Sequence, residues 1–257
     1  MREATTRRRG RSYAASMAGV LVLAGSLAAC TGGGYGGGGG CAPATEVHGG
    51  YPLAPPNYVS GWYSSDTRTT GNVQVNADLG APAGYGCNSV KLVTGNNIQI
   101  SGTYQDKAQL FSYDLTGVPL STINNVSYYA YKSSASAPSP VDVSINIQIT
   151  GSIPSGFTFG TLVYEPYNQS TGNAGVHTDE WQFWDATAAT PGDGVWWSSK
   201  IAYGNPGSQS SPQPLSFFKS LYSDAVLAGY GFNVGSNNPN QVLGADGLFV
   251  GTTLTDF

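Results

Sequence analysis

Hydrophobic and polar positions alternate with a period of two along most of the chain after about residue 59. Val141–Thr150, VDVSINIQIT, is the clearest case. Val141, Val143, Ile145, Ile147 and Ile149 fall on one face, and Asp142, Ser144, Asn146, Gln148 and Thr150 on the other. Such a strand buries one side only, which suits an antiparallel sheet. Shorter runs of the same kind, bounded by Gly, Pro, Asn and Asp, predict strands at Asn72–Asn76, Ser89–Val93, Ile98–Tyr104, Ala108–Asp114, Ser127–Tyr131 and Thr161–Tyr167. Further strands are predicted at Glu180–Asp185, Gly194–Ser198, Val226–Asn233, Val242–Phe249 and Thr252–Asp256. Strands of this number and length predict an all-β fold, a two-sheet antiparallel β-sandwich of jelly-roll type. About 200 residues is ample for one hydrophobic core and short for two. One short helix is predicted at Leu215–Ser223, behind Pro212 and Pro214, with Phe217 or Phe218 and Leu221 on one side.

Glu180–Ser199, EWQFWDATAATPGDGVWWSS, holds four of the five tryptophans. It reads as two strands joined by a loop rich in turn residues. Alternation puts Trp181, Phe183 and Asp185 on one face and Glu180, Gln182 and Trp184 on the other. One face must enter the core, which leaves the other for a ligand. Trp196 and Trp197 are adjacent, so a regular strand points one of them away from the core. Exposed indoles and phenols with amide or carboxylate neighbours suit the apolar faces and hydroxyls of sugars. The candidate ligand-binding residues are Trp184, Trp196, Trp197, Tyr164 and Tyr167, with Glu180 and Gln182. A glycosidase needs two carboxylates across a cleft. Glu165, Glu180 and Asp185 are the acids available for that, and their spacing in the sequence does not show whether they converge.

The first thirty residues change the picture. Arg2, Arg7, Arg8, Arg9 and Arg11 precede an apolar stretch from about Tyr13 to Ala29, too short for a membrane span. This ends in Leu27-Ala28-Ala29-Cys30, which resembles the bacterial lipoprotein lipobox. The resemblance implies cleavage before Cys30, lipid on its sulfur and an extracytoplasmic, membrane-anchored protein of the cell envelope. Residues 1–29 are then a lipoprotein signal peptide, 30–56 a lipidated cysteine and Gly/Pro-rich tether, and 57–257 the β-sandwich. Thr31–Gly40 is nearly all glycine and brings no side chains to bury, so it predicts a leash of roughly 17 Å typical reach.

Cleavage removes five arginines and one acid from totals of 11 basic and 15 acidic residues, leaving 6 against 14, a net charge of −8. That balance excludes nucleic acid and an anionic membrane surface as partners, so the membrane is met through the anchor alone. Two cysteines remain after Cys30. In an oxidising compartment Cys41 and Cys87 are expected to pair, since the two histidines, His48 and His177, have no metal-ligand spacing.

Several pieces, taken in order, are similar to a group of secreted bacterial β-sandwich proteins, mostly uncharacterised, whose fold is like carbohydrate-binding jelly rolls. They are Gly61-Trp62-Tyr63 with Asp66, Ala83-Gly84-Tyr85-Gly86, INNVSYYAY from Ile123, and Leu162-Val163-Tyr164-Glu165-Pro166. Trp181–Ala186, Gly194–Trp197, GYGFNVGS from Gly229 and Ala245-Asp246-Gly247-Leu248 complete the set. The resemblance implies a non-catalytic protein presenting a face to polysaccharide or envelope glycan. A structural or adhesive envelope protein that contacts another protein, and a carbohydrate-active hydrolase or lyase, are the alternatives. It also implies a structural Ca²⁺ at Asp246, with an acid such as Asp66. The sequence shows no dense Asp-x-Asp run, and a turn-forming Asp-Gly accounts for Asp246 as well.

Overall fold

In the computed structural model, which describes residues 45–47, 61–64, 66–97, 102, 104–153, 156–169 and 175–257, two antiparallel sheets stack over one core. One sheet runs β1 (Thr45–Val47), β3 (Asn72–Asn76), β4 (Ser89–Val93), β13 (Val242–Val250), β6 (Val126–Lys132) and β9 (Trp181–Asp185), with β14 (Thr253–Thr255) also paired to β13. The other runs β11 (Gln213–Pro214), β10 (Val195–Ser198), β8 (Phe157–Tyr164), β7 (Ser144–Ile153), β12 (Val226–Val234), β5 (Ala108–Ser112) and β2 (Trp62–Tyr63). The fold is therefore the all-β two-sheet sandwich expected from the alternation. The lipobox, the glycine leash and Cys41 lie outside the described residues, as do residues 98–101 and 103 of the strand expected at Ile98–Tyr104.

The core follows from the two-residue period. In β6, Val126, Tyr128 and Ala130 point inward and Ser127, Tyr129 and Tyr131 outward. In β7, Ile145, Ile147 and Ile149 are fully buried. The sheets are joined through aromatic contacts. Tyr128 of β6 lies 6.2 Å from Tyr164 of β8 and 6.1 Å from Phe232 of β12. Its hydroxyl donates to the Val143 carbonyl, so this polar tip inside the core is satisfied. Each such fully buried large side chain stabilises by about 1.5–3 kcal/mol. The helix α1 (Leu215–Leu221) buries Leu215 and Phe218, and the Tyr222 hydroxyl beyond it makes a hydrogen bond to Ser198 Oγ of β10.

Two of the boundaries that differ from the pattern have a direct physical cause. β7 starts at Ser144, because Asp142 Oδ1 accepts the Val143 N–H at 2.8 Å and takes that donor out of the ladder. β8 stops at Tyr164, since Pro166 has no N–H and opens a 3₁₀ turn over Pro166–Asn168. The two tryptophan-rich strands do not pair. β9 is an edge strand of one sheet and β10 lies inside the other, so residues 186–194 carry the chain from sheet to sheet.

Candidate functional site

A cleft of ≈ 390 Å³ opens on the outer face of the sheet containing β7. Its floor is one cross-strand row: Trp197 of β10 lies opposite Val163 of β8, and Val163 opposite Asn146 of β7. The next row sets Ser144 of β7 opposite Asn233 of β12. The turn after β8 brings Glu165 and Tyr167 to one side, and the loop after β12 brings Ser236, Asn237 and Asn238 to the other.

Glu165 ties the aromatic side together. Its Oε2 accepts Trp197 Nε1–H at 2.8 Å and Asn168 Nδ2–H at 3.1 Å. The Tyr167 phenol is hydrogen-bonded to the same carboxylate and to Gln209. Burial first, and the Glu165 charge second, push that phenol well above its ordinary value, so it stays a donor. Trp197 and Tyr167 are both half-buried and line the cleft.

The floor is polar and almost sealed. Asp142, Ser144, Asn146 and Asn233 are 3–7 % exposed. Ser144 Oγ donates to the Asn233 carbonyl at 2.7 Å and accepts from Asn233 Nδ2 at 3.2 Å. Asn146 Oδ1 and Asn233 Oδ1 have no partner among the described residues, while the Asp142 carboxylate faces the Trp184 indole N–H. Buried polar atoms are nearly always satisfied, and an orphan costs about 1–3 kcal/mol. Burial pushes the Asp142 carboxyl up to about 7, against the pull of the Val143 N–H and the Lys132 charge.

Of the residues picked out by sequence, the cleft takes Trp197 and Tyr167. Trp196 is fully buried and its indole N–H donates to the Ala186 carbonyl at 2.7 Å. Tyr164 is also sealed in the core, 5.5 Å from Trp196, and neither ring can reach a ligand. On β9 the buried face is the one expected to meet a ligand. Trp184 turns inward, while Trp181, Phe183 and Asp185 face outward. Phe183 packs on Tyr129 at 5.2 Å and Trp181 on Tyr131 at 5.4 Å, which makes an aromatic strip on the opposite sheet. Gln182 is spent on loop backbone, accepting His177 N–H and donating to the Gly175 carbonyl. Glu180 pairs with the His177 ring. Glu165, Glu180 and Asp185 do not converge: Asp185 lines a separate hollow beside Trp184, Glu180 lines neither, and the acid that joins Glu165 is Asp142.

The cation candidates are not brought together in one acidic group. Burial raises the Asp66 carboxyl, but Arg68 Nε at 2.5 Å and Lys107 Nζ at 2.6 Å outweigh it and hold the carboxyl below its ordinary value. Asp246 is fully buried, with Oδ1 accepting the N–H groups of Gly247 and Phe257. Among the described residues no group of three or more His, Cys, Asp or Glu could hold a metal.

Sequence reasoning missed Asp142, Ser144, Asn146 and Asn233. For the first three the signal was present in VDVSINIQIT, whose leading polar positions form part of the cleft floor while Gln148 and Thr150 do not.

Fold and site together define a two-sheet β-sandwich with a polar, aromatic-flanked cleft on one outer face. No family model and no curated protein matches the chain. One similar solved structure is the Family 11 Carbohydrate-Binding Module from Clostridium thermocellum in complex with a beta-1,3-1,4-mixed-linked tetrasaccharide. It is 14 % identical, with 82 % of this chain and 97 % of that chain covered and a TM-score of 0.37. At that score the chemistry of the cleft has to stand by itself.

Proposed function

We propose that this domain binds a polysaccharide without cleaving it, through the cleft between Trp197, Tyr167 and the Asn146–Asn233 floor. One observation carries the reading: two buried amide oxygens without a partner among the described residues, on Asn146 and Asn233, belong to residues of a single cleft with an aromatic side. A polyhydroxylated ligand supplies both the missing donors and the apolar C–H faces that lie against an indole. A site that leaves buried polar groups unpaired when empty discriminates strongly for ligands that pair them. The same reading places the domain outside the cytoplasm, tethered by lipid at Cys30 and closed by a Cys41–Cys87 bridge. It is supported by the order of basic, apolar and lipobox residues in 1–30.

Isothermal titration against neutral polysaccharides tests it. Trp197→Ala is expected to weaken binding at least tenfold, about 1.4 kcal/mol, while Trp181→Ala, on the opposite sheet, leaves it within twofold. Absence of binding to every polymer sinks the proposal. Palmitate labelling that persists in Cys30→Ala would defeat the anchor.

A second reading, glycoside hydrolysis, is favoured by the presence of two carboxyl groups, Asp142 and Glu165, in one cleft. It requires the release of reducing ends from a bound polymer, lost in Asp142→Asn. Binding without release leaves the first reading standing.

A further inference from the structure

We infer that the cleft selects uncharged glycans and rejects those bearing carboxylate or sulfate groups, with Glu165 as the residue that sets this preference. The inference rests on polysaccharide binding at this cleft and names the class of polymer. The carboxyl groups there are those of Asp142 and Glu165, and among the described residues no Lys, Arg or His lines it. The donors that hold Glu165 are all neutral: the Trp197 indole, the Asn168 amide and the Tyr167 phenol. Its negative charge therefore has no cation bound to it among the described residues, and it stands at the half-buried aromatic side where a sugar would lie. The cation that acts on Asp142 is Lys132. Lys132 is buried, and its Nζ donates to the carbonyls of Ser139 and Val141, so it offsets Asp142 from beneath and offers nothing to a ligand anion. The other polar lining groups are amides and hydroxyls, among them Gln209, Asn237 and Ser236, which pair with sugar hydroxyls but do not neutralise an anion. An anionic substituent in this cleft meets a fixed like charge in a partly desolvated setting, where repulsion is several-fold stronger than in water.

The test uses the mature chain and matched polymers that share a backbone. Suitable pairs are hydroxyethylcellulose and carboxymethylcellulose, methyl-esterified and de-esterified pectin, and dextran and carboxymethyl dextran. Affinities are measured at pH 8, above the Asp142 value of about 7, in 20 mM and 1 M NaCl. In every pair whose neutral member binds, the acidic member is expected to bind at least about tenfold more weakly at low salt, the gap closing to within about threefold at 1 M. The net negative charge of the whole chain also repels anions, so a variant separates the two sources. Glu165→Gln keeps an oxygen to accept the Trp197 N–H and is expected to cut the neutral-to-acidic ratio at least threefold. Asp224→Asn removes the same charge at an exposed acid bound to Ser152, outside the cleft, and is expected to leave the ratio unchanged. An acidic polymer bound as tightly as its neutral partner at low salt overturns the inference. So does a ratio that Glu165→Gln and Asp224→Asn change equally. No binding to any polymer, neutral or acidic, overturns instead the reading on which it rests.

Discussion

Asp246→Asn should stabilise this protein at alkaline pH and not at acid pH. Asp246 sits on β13, fully buried, with Oδ1 accepting the N–H groups of Gly247 at 2.8 Å and Phe257 at 3.2 Å. Oδ2 has no partner among the described residues. Burial pushes the carboxyl from 3.8 to about 7; the two N–H groups oppose the rise and Asp256 adds to it. The folded value thus lies above the unfolded one. Below pH 3.8 both states hold the proton and there is no penalty. As pH rises from about 4 to 7 the unfolded chain releases the proton and the folded chain keeps it, so stability falls. At about 1.4 kcal/mol for each tenfold change, the loss approaches 4 kcal/mol by pH 8. Asn cannot ionise, keeps the Oδ1 acceptor, and costs about 1–3 kcal/mol for its imperfectly bonded amide nitrogen. The variant should therefore exceed the wild type by about 1–3 kcal/mol at pH 8, and equal or trail it at pH 4. Urea unfolding followed by tryptophan fluorescence at both pH values measures this. A variant less stable than wild type at pH 8 would refute the reasoning. If Ca²⁺ then stabilised wild type but not the variant, Asp246 would be an ionised cation ligand rather than a buried acid.

Asp142, also raised to about 7, acts in the same window with the same sign, so Asp142→Asn should flatten the wild-type decline between pH 4 and 7 further in the same titration. Gly231→Ala on β12 would place a Cβ 2.0 Å from the Leu110 carbonyl oxygen in the middle of its sheet, and should lower the unfolding free energy by at least about 3 kcal/mol in urea. Tyr128→Phe leaves the buried Val143 carbonyl without its hydroxyl donor and should cost about 1–2 kcal/mol by thermal unfolding. If Cys41 and Cys87 pair, reduction of the folded chain should cost up to about 4 kcal/mol, and Cys87→Ser should make stability insensitive to reductant.

The fold was legible because alternation is a local property with a strong consequence. β6 buries every second residue and β7 turns Ile145, Ile147 and Ile149 to the core, and a strand of that kind is stable only against a second layer. Strand order was not legible. β9 and β10 are neighbours in sequence, both rich in tryptophan, and still fall in different sheets, because pairing is decided by contacts far apart in the chain. The face of β9 was misjudged for a related reason. Two aromatics, Trp181 and Phe183, favour burial of their side over that of the single Trp184. But Tyr129 and Tyr131 of β6 cover Trp181 and Phe183 from the same outer side, so these rings gain contact without entering the core.

The site was half legible, and the half that was missed shows how binding chemistry is written into a sandwich. Aromatic pairs announce that a ring must leave the core, and Trp197 does. Nothing in the same reading separates a polar position that faces water from one that faces a cleft. Asn146 and Thr150 stand on one face of one strand, yet Asn146 is 7 % exposed and Thr150 is more open. The difference arises from what surrounds the strand: the Glu165–Asn168 turn on one side and the loop beyond Asn233 on the other rise over the start of β7 and enclose it. A polar row at that place would be a net cost if it served the fold alone, because apolar residues of similar size would carry no orphaned oxygens. Two such oxygens in one cleft, beside a carboxylate that binds an indole and a phenol, therefore point to an occupant. The enclosed rows of β7 and β12, rather than the tryptophans by themselves, are where its identity will be decided.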